Sequence, residues 1–359
     1  MDKTQTQIPA ALGFRMPAEW RPHESTWLAW PKDPETWPGR VTQVEEIYLQ
    51  MIAALTEHEF VDLLVDDEES QRNVLARCHF PGAVRIRFHQ IQTVDSWIRD
   101  YGPNFLINTA GEIAFNDWGF NAWGNKYEAL KQDDTVPRRL EPLLRMPRFS
   151  PGIVMEGGSI DVNGAGCVLT TEQCLLNPNR NPELTREQIE EYLKDYLGVT
   201  KILWLAEGIA GDDTDGHIDD IARFVAPDVI VCAVEDDPED VNYYLLQDNL
   251  ARLKSMTDAA GRPFEIVTLP MPGVIEGSST SARDLERLPA SYANFYIANS
   301  VVLLPVFGQV NDTRATDKIQ RLFPDRRVVP INCEPLVWGM GTIHCVTQQQ
   351  PRVALPQES

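Results

Sequence analysis

The stretch Val41-Thr-Gln-Val44-Glu-Glu-Ile47-Tyr48-Leu-Gln-Met51-Ile-Ala-Ala54-Leu55-Thr-Glu-His58, followed after Glu59 by Phe60-Val-Asp-Leu-Leu-Val65, decides how the chain is read. Val44, Ile47, Tyr48, Met51, Ala54 and Leu55 recur at steps of three and four, which predicts an amphipathic helix over Val41 to His58. Phe60 to Val65 is a short apolar run and reads as a buried strand. The pair then recurs. Leu184 to Leu197, with Thr185 as N-cap and Glu187/Gln188 near the capping-box position, leads into Lys201 to Ala206. Asp240 to Met256 leads into Phe264 to Pro270, and Asp312 to Phe323 into Arg327 to Asn332. Lys126 to Leu144 is a weaker fifth helix, interrupted by Pro137.

Between these pairs lie hairpins. Ser159 to Thr171 turns at Asn163-Gly164, Ile221 to Glu235 at Pro227-Asp228, and Tyr292 to Phe307 near Asn299-Ser300. Helix, strand, loop and hairpin thus recur about five times, which predicts α/β modules stacked around an axis rather than a doubly wound sheet. No Pro/Gly/Ser linker and no composition shift divides the chain, so residues 1–359 read as one domain.

The composition is that of a globular protein, with 43% hydrophobic and 24% charged residues. Against 32 Lys+Arg stand 53 Asp+Glu, a net charge of −21, and both nucleic acid and anionic membranes require a basic surface. The excess favours a cationic small molecule. Met1 to Leu12 lacks the basic start and apolar run of a signal peptide, and stretches such as Ser300 to Phe307 are too short to span a bilayer. The six cysteines form no C-x-x-C pair, and the six histidines are scattered, so neither a disulfide framework nor a zinc site is expected. These features predict a cytoplasmic protein. A homo-oligomer is compatible with all of them.

Several segments carry residues suited to chemistry. In Trp338-Gly-Met-Gly-Thr-Ile-His-Cys345 a glycine-flanked loop precedes a cysteine on a strand-like run. Cys345 reads either as a nucleophile or as a small buried core residue. If residues 217–225 form a strand, His217, Asp219 and Ile221 share one face; the alternative is a solvated acidic turn before an edge strand. Asp100, beside Arg99, precedes the strand Asn104 to Ile107, where a surface ion pair is the ordinary outcome. Glu156 stands between an apolar strand and the Gly157-Gly158 bend, and a lone glutamate there is more often structural. Trp118, Phe120 and Trp123 form an aromatic cluster suited to core or pocket wall. Taken together, one cysteine, one histidine and three carboxylates suggest deiminase chemistry. Two carboxylates can hold a planar guanidinium, a thiolate can attack its carbon, and a histidine can move protons.

Gly13-Phe-Arg-Met-Pro-Ala-Glu-Trp20, Trp97-Ile-Arg-Asp-Tyr-Gly-Pro103, Phe120-Asn-Ala-Trp-Gly124 and Glu156-Gly-Gly-Ser159 occur in that order. They are followed by Thr170-Thr-Glu-Gln-Cys-Leu-Leu176, Asn179-Arg-Asn-Pro182, Thr214-Asp-Gly-His-Ile-Asp219 and Ile343-His-Cys-Val-Thr-Gln-Gln349. Over nearly its whole length the chain resembles the agmatine deiminase family, related to the bacterial peptidylarginine deiminases within the guanidino-group-modifying pentein superfamily. The resemblance implies a pentein five-bladed α/β propeller of ββαβ modules with pseudo-fivefold symmetry.

It also implies roles for named residues, with no metal and no organic cofactor. Cys345 would be the nucleophile, and His217 would protonate the leaving ammonia and then activate water. Asp100 and Asp219 would clamp the guanidinium, while Glu156 would hold His217 and the substrate. The product from agmatine would be N-carbamoylputrescine, a putrescine precursor. Two segments depart from the family pattern. Gly339-Met340-Gly341-Thr342 stands where agmatine-specific members usually carry Gly-Gly-Gly-Asn, and Met271 to Arg287 differs as well. Asp213 is the expected partner of agmatine's far ammonium, with Trp97 and Trp123 along its aliphatic tail. The alternatives are a peptidylarginine deiminase, for which an export signal would be expected, and a guanidine-binding module without turnover. A thiol hydrolase or amidinotransferase would not need both Asp100 and Asp219.

Overall fold

A computed structural model describes residues 8–277 and 287–353 of the chain. Among them the strands form five separate sheets. Four sheets share one plan: an antiparallel hairpin, a helical crossover, and a third strand parallel to the hairpin's second. Asn104–Ile107 pairs with Ile113–Asn116, and after the helix Val136–Leu144 the chain adds Arg148–Phe149. Asp161–Val162, Cys167–Thr171 and Lys201–Leu205 repeat this with the helix Arg186–Leu197. Ala222–Ala226, Val229–Val234 and Glu265–Pro270 repeat it with Asn242–Ser255. Tyr296–Ile297, Val301–Val306 and Arg327–Asn332 do so with Asp312–Leu322.

The fifth module is assembled from both ends of the described chain. Gln348–Pro351 pairs antiparallel with His23–Ala29, which runs parallel to Phe60–Val65 beyond the helix Val41–Leu55. Ile86–Gln90 extends this sheet at its edge. A parallel pair needs a long crossover, and each of the five helices supplies it. The turn that carries Cys345 leads directly into the closing strand, so joining the two ends of the chain also places the thiol.

The helical pattern holds in detail. Val44, Ile47, Tyr48, Met51, Ile52 and Leu55 are buried, although the helix ends at Leu55, where Thr56 turns its hydroxyl back onto the Ile52 carbonyl. Thr185 and Gln188 form the capping box, and Gly198 ends that helix in the left-handed conformation at φ 64°. Between Lys126 and Leu144, Ala129–Thr135 is a 3₁₀ helix, and the α-helix begins at Val136. Pro137 thereby falls in the first turn, where its missing N–H costs nothing.

Two expectations are corrected. Residues 217–225 are not one strand: Ile218–Asp220 is a 3₁₀ turn, and the strand starts only at Ala222. The Asp212 carboxylate accepts from the backbone N–H groups of Gly216 and His217, curling the chain before the sheet begins. Cys345 likewise lies in a turn and not on a strand, held by the Thr347 hydroxyl donating to the carbonyls of Ile343 and His344. Of the segment Met271 to Arg287, residues 278–286 lie outside the described residues. Its ends meet where Leu288 N–H donates to the Ile275 carbonyl. The Arg287 carbonyl lies against Gly211, at the start of the acidic turn.

Candidate active site

Each side chain of interest leaves the fold just ahead of a module's first strand. Asp100 lies on the short helix Ile98–Tyr101, Glu156 caps the Gly157–Ser159 turn, and His217 and Asp219 belong to the 3₁₀ turn before Ala222. All are buried, as is Cys345.

The cysteine loop needs its glycines. A Cβ on Gly341 would lie 2.7 Å from the Trp97 ring and 3.1 Å from both Cβ and Sγ of Cys345, so a side chain there would crowd the thiol. Around Sγ stand Asn294 Nδ2 at 3.2 Å, Asn294 Oδ1 at 3.5 Å and Asp219 Oδ2 at 3.7 Å. Burial pushes the Cys345 thiol well above its ordinary range, and the negative charges of Asp219, Asp220 and Asp100 push it further, against a backbone hydrogen bond from Thr342.

Asp100 is held at both oxygens. Gly158 N–H donates to Oδ1 at 2.9 Å and the Trp123 indole to Oδ2 at 2.9 Å. Burial raises its carboxyl to about 6; His217 opposes that shift, while Asp219 and Glu156 add to it. Burial would raise Asp219 as well, but the hydrogen bond and charge of His344, then His217 and Arg223, hold it below the usual carboxylate range. His344 Nδ1 meets Asp219 Oδ2 at 2.7 Å, and its Nε2 meets Glu19 Oε2 at 2.8 Å. Burial opposes the charged form of His217, yet Asp100, at 3.8 Å from Nδ1, together with Cys174 and Asp219, lifts its pKa well above the imidazole value. Among the described residues the two ring nitrogens of His217, Oε2 of Glu156 and Oδ1 of Asp219 are buried without a hydrogen-bond partner. Unpartnered buried polar atoms are expensive, and a planar cation bearing several N–H groups would satisfy the carboxylate oxygens.

Arg99 is not the partner of Asp100 and is not at the surface. Its buried guanidinium donates to the His344 carbonyl and to Gln348 and Gln349, fixing the chain on either side of Cys345 from behind. Glu156 accepts from Arg180 Nε at 2.6 Å through Oε1. Glu156, Cys174 and His217 offer donor atoms all within 4.8 Å of one another, a metal-capable set. The Arg180 guanidinium on Glu156 opposes a second cation there.

A narrow pocket, partly open to solvent, is lined by Trp97, Asp100, Trp123, Asp213, Thr214, Gly339, Met340, Gly341 and Cys345. The tail residues expected from the sequence therefore share one pocket with the cysteine. Asp213 is already engaged: the Tyr127 hydroxyl donates to Oδ2 and Lys126 Nζ lies 3.4 Å from Oδ1. Trp123 does more than wall the pocket, because its indole orients Asp100. Met340 holds a left-handed backbone at φ 77°, which a residue other than glycine rarely adopts.

The sequence reading did not single out Asn294, His344 or Arg180. Arg180 and His344 stand inside the quoted motifs Asn179–Pro182 and Ile343–Gln349. Asn294 was findable only by its position before the hairpin of its repeat.

The profile of the Porphyromonas-type peptidyl-arginine deiminase family matches residues 15–351. The agmatine deiminase of Ectopseudomonas mendocina is 38% identical over 365 residues, covering 97% of this chain and 98% of that protein. That of Pseudomonas syringae pv. tomato is 39% identical, with the same coverage. The solved agmatine deiminase of Enterococcus faecalis superposes with a TM-score of 0.91 at 36% identity, over 98% of this chain and all of that one. The five ββαβ modules are those of the pentein α/β propeller. The chain belongs to the Porphyromonas-type peptidyl-arginine deiminase family.

Proposed function

We propose that the protein hydrolyses the guanidinium of agmatine to N-carbamoylputrescine and ammonia. The observation that carries this reading is one pocket lined by Cys345, Asp100 and Asp213 together. That arrangement suits a dication with a guanidinium at one end and an ammonium at the other. Cytoplasmic action within a single domain fits the six free cysteines.

In this mechanism Asp100 and Asp219 hold the guanidinium by charge-assisted hydrogen bonds. The bound cation offsets the carboxylates that disfavour the Cys345 thiolate, so with substrate in place the thiol releases its proton to solvent. The thiolate attacks the guanidinium carbon, forming a C–S bond and a tetrahedral adduct. His217, charged in the free enzyme, gives its proton to the departing nitrogen as the C–N bond breaks. This leaves ammonia and a covalent S-alkylthiouronium. Neutral His217 then takes a proton from water, whose oxygen attacks the same carbon, and as the C–S bond breaks the adduct's hydroxyl proton passes to the leaving sulfur, giving the ureido product and the Cys345 thiol. Glu156, whose second oxygen has no partner among the described residues, is available to accept from the guanidinium or from His217 once substrate is bound.

The test is ureido-product formation with purified protein, offering agmatine, free arginine and a peptide with an internal arginine in parallel. Turnover of agmatine alone is expected. Turnover of the peptide instead would establish the second reading, peptidylarginine deimination, which the family's name favours.

A further inference from the structure

His344, the residue before the proposed nucleophile, moves no proton and touches no substrate in the proposed mechanism, yet both its ring nitrogens are committed. Nδ1 lies 2.7 Å from Asp219 Oδ2 and Nε2 lies 2.8 Å from Glu19 Oε2, and all three side chains are buried. We propose that His344 and Glu19 are positioning residues for the guanidinium clamp: His344 ties down one oxygen of Asp219 and leaves the other for substrate, while Glu19 fixes the imidazole from its far side. This rests on the reading of Asp219 as a guanidinium ligand.

The hydrogens follow from the contacts. A carboxylate can only accept, so an imidazole offering one nitrogen to each of two carboxylates must carry a hydrogen on both, and is then a cation. Both carboxylates are held ionised. Against the cost of burial, Arg223, then His344 and Arg99, keep Glu19 far below its ordinary value. Against the same cost, His344, then His217 and Arg223, keep Asp219 low. Burial, then Arg223 and Arg99, pull His344 below the ordinary imidazole value despite Glu19 and Asp219. The second proton on His344 therefore depends on both carboxylates staying in place, and Glu19 is the one that substrate does not engage.

Glu19 comes from the N-terminal segment, outside the repeat, and is itself immobilised. Its Oε1 accepts from the Ile297 N–H at 2.8 Å, and its Oε2 lies 2.9 Å from Arg223 Nη2 and 3.6 Å from Arg99 Nη2. Arg223 Nε in turn lies 3.4 Å from Asp161 Oδ2. Arg99, Asp161, Arg223, Ile297 and His344 lie on or just ahead of the first strands of five different modules. The ring of modules that gathers the proposed catalytic side chains thus also fixes Glu19 behind them.

The arrangement accounts for an asymmetry in the clamp. Asp100 has donors on both oxygens, the Gly158 N–H and the Trp123 indole. Asp219 has His344 on Oδ2, while Oδ1 is without a partner among the described residues. That oxygen is the one available to a guanidinium N–H. Of the other charged groups facing Asp219, His217, Arg223 and Arg99 favour its carboxylate, whereas Asp100, Asp220 and the Cys345 sulfur oppose it.

The experiment compares His344→Leu, His344→Asn and Glu19→Gln with the parent. It reads kcat and KM for agmatine against pH, denaturant unfolding and, in protein isotopically labelled at its histidine nitrogens, the His344 ring resonances at neutral pH. His344→Leu should lower kcat/KM about 10- to 100-fold, the worth of a hydrogen bond to a charged group, mostly through KM. Its acid limb should move up by about one pH unit, because a buried Asp219 without the imidazolium takes up its proton at higher pH. His344→Asn keeps a donor toward Asp219 and should recover part of the loss. Glu19→Gln should leave His344 protonated at Nδ1 alone, with a smaller shift of the acid limb in the same direction. The Asn and Gln variants carry the test should the leucine variant fail to fold. A merely structural role would lower stability and leave KM and the acid limb of folded variants unmoved, which overturns the proposal. So does a parent His344 with only one protonated ring nitrogen. A parent protein that turns over no guanidino substrate would overturn the functional reading instead, and the ring resonances still decide the His344–Glu19 pair.

Discussion

Replacing Gly158 by alanine adds one methyl group where three of the proposed catalytic side chains converge. The new Cβ would lie 2.6 Å from His217 Nδ1, 2.8 Å from Asp100 Oδ1 and 3.1 Å from Asp219 Oδ2, whereas ordinary contact begins at 3.4 Å. The Gly158 backbone is outside the left-handed region, so alanine meets no conformational barrier. Its N–H still donates to Asp100. The perturbation is therefore confined to the side chains, and the imidazole must withdraw by roughly 0.8 Å. A displacement near 1 Å in a reacting geometry costs on the order of 10²-fold in rate. Overpacking a buried site costs about 1–3 kcal/mol of stability. Steady-state kinetics with agmatine and denaturant unfolding of the same preparations provide the assay. A folded Gly158→Ala enzyme with the parent's kcat would refute the convergence of His217, Asp100 and Asp219 on this point.

Five further outcomes are expected. Asp100 must be ionised to hold a cation, and its carboxyl sits at about 6, so log kcat/KM should fall as pH drops through that value; a flat profile down to pH 5 would contradict this. The same raised carboxyl adds stability below its unfolded value of 3.8 and loses it as pH rises through about 6, a swing of up to about 3 kcal/mol that Asp100→Asn should lack in unfolding measurements across pH. Arg180→Met leaves Glu156 buried without its cation and should cost about 3–5 kcal/mol by denaturant unfolding, with an unchanged midpoint as the contrary result. Met340→Gly relieves about 1–2 kcal/mol of left-handed strain while deleting pocket wall, so KM for agmatine should rise with little loss of stability; the reverse pattern would assign Met340 to the core. Asp213→Asn should raise KM for agmatine more than it lowers kcat, and an unchanged KM would remove Asp213 from substrate binding.

The repeat was legible because it is written in local patterns. Helical periodicity and short apolar runs depend on neighbours a few residues apart, and they located four of the five crossover helices to within a few residues of their ends, while the fifth, read from Lys126, starts as an α-helix only at Val136. The hairpin turns at Asn163-Gly164 and Pro227-Asp228 were readable for the same reason. What local pattern misses is whatever distant segments decide. Arg99 looks like the ion-pair partner of Asp100 until Gln348 and Gln349 arrive from the other end of the chain and take its guanidinium. The alternation from His217 to Phe224 suggests a strand, but the Asp212 carboxylate ties the chain into a turn first. Trp123 reads as a wall because its hydrophobic bulk dominates, while its single N–H carries the contact to Asp100. Asn294 carries no signature of its own and is recognised only when the modules are aligned on their first strands.

The central claim is that Cys345 becomes covalently bound to the carbon of the substrate's guanidinium. Acid quenching during agmatine turnover, followed by intact-mass and peptide analysis, tests it most directly. The account predicts an adduct with the mass of agmatine less ammonia, located on the peptide bearing Cys345 and absent from Cys345→Ser, which should remain folded and inactive. Turnover that persists in Cys345→Ser, or an adduct on one of the other five cysteines, would contradict it.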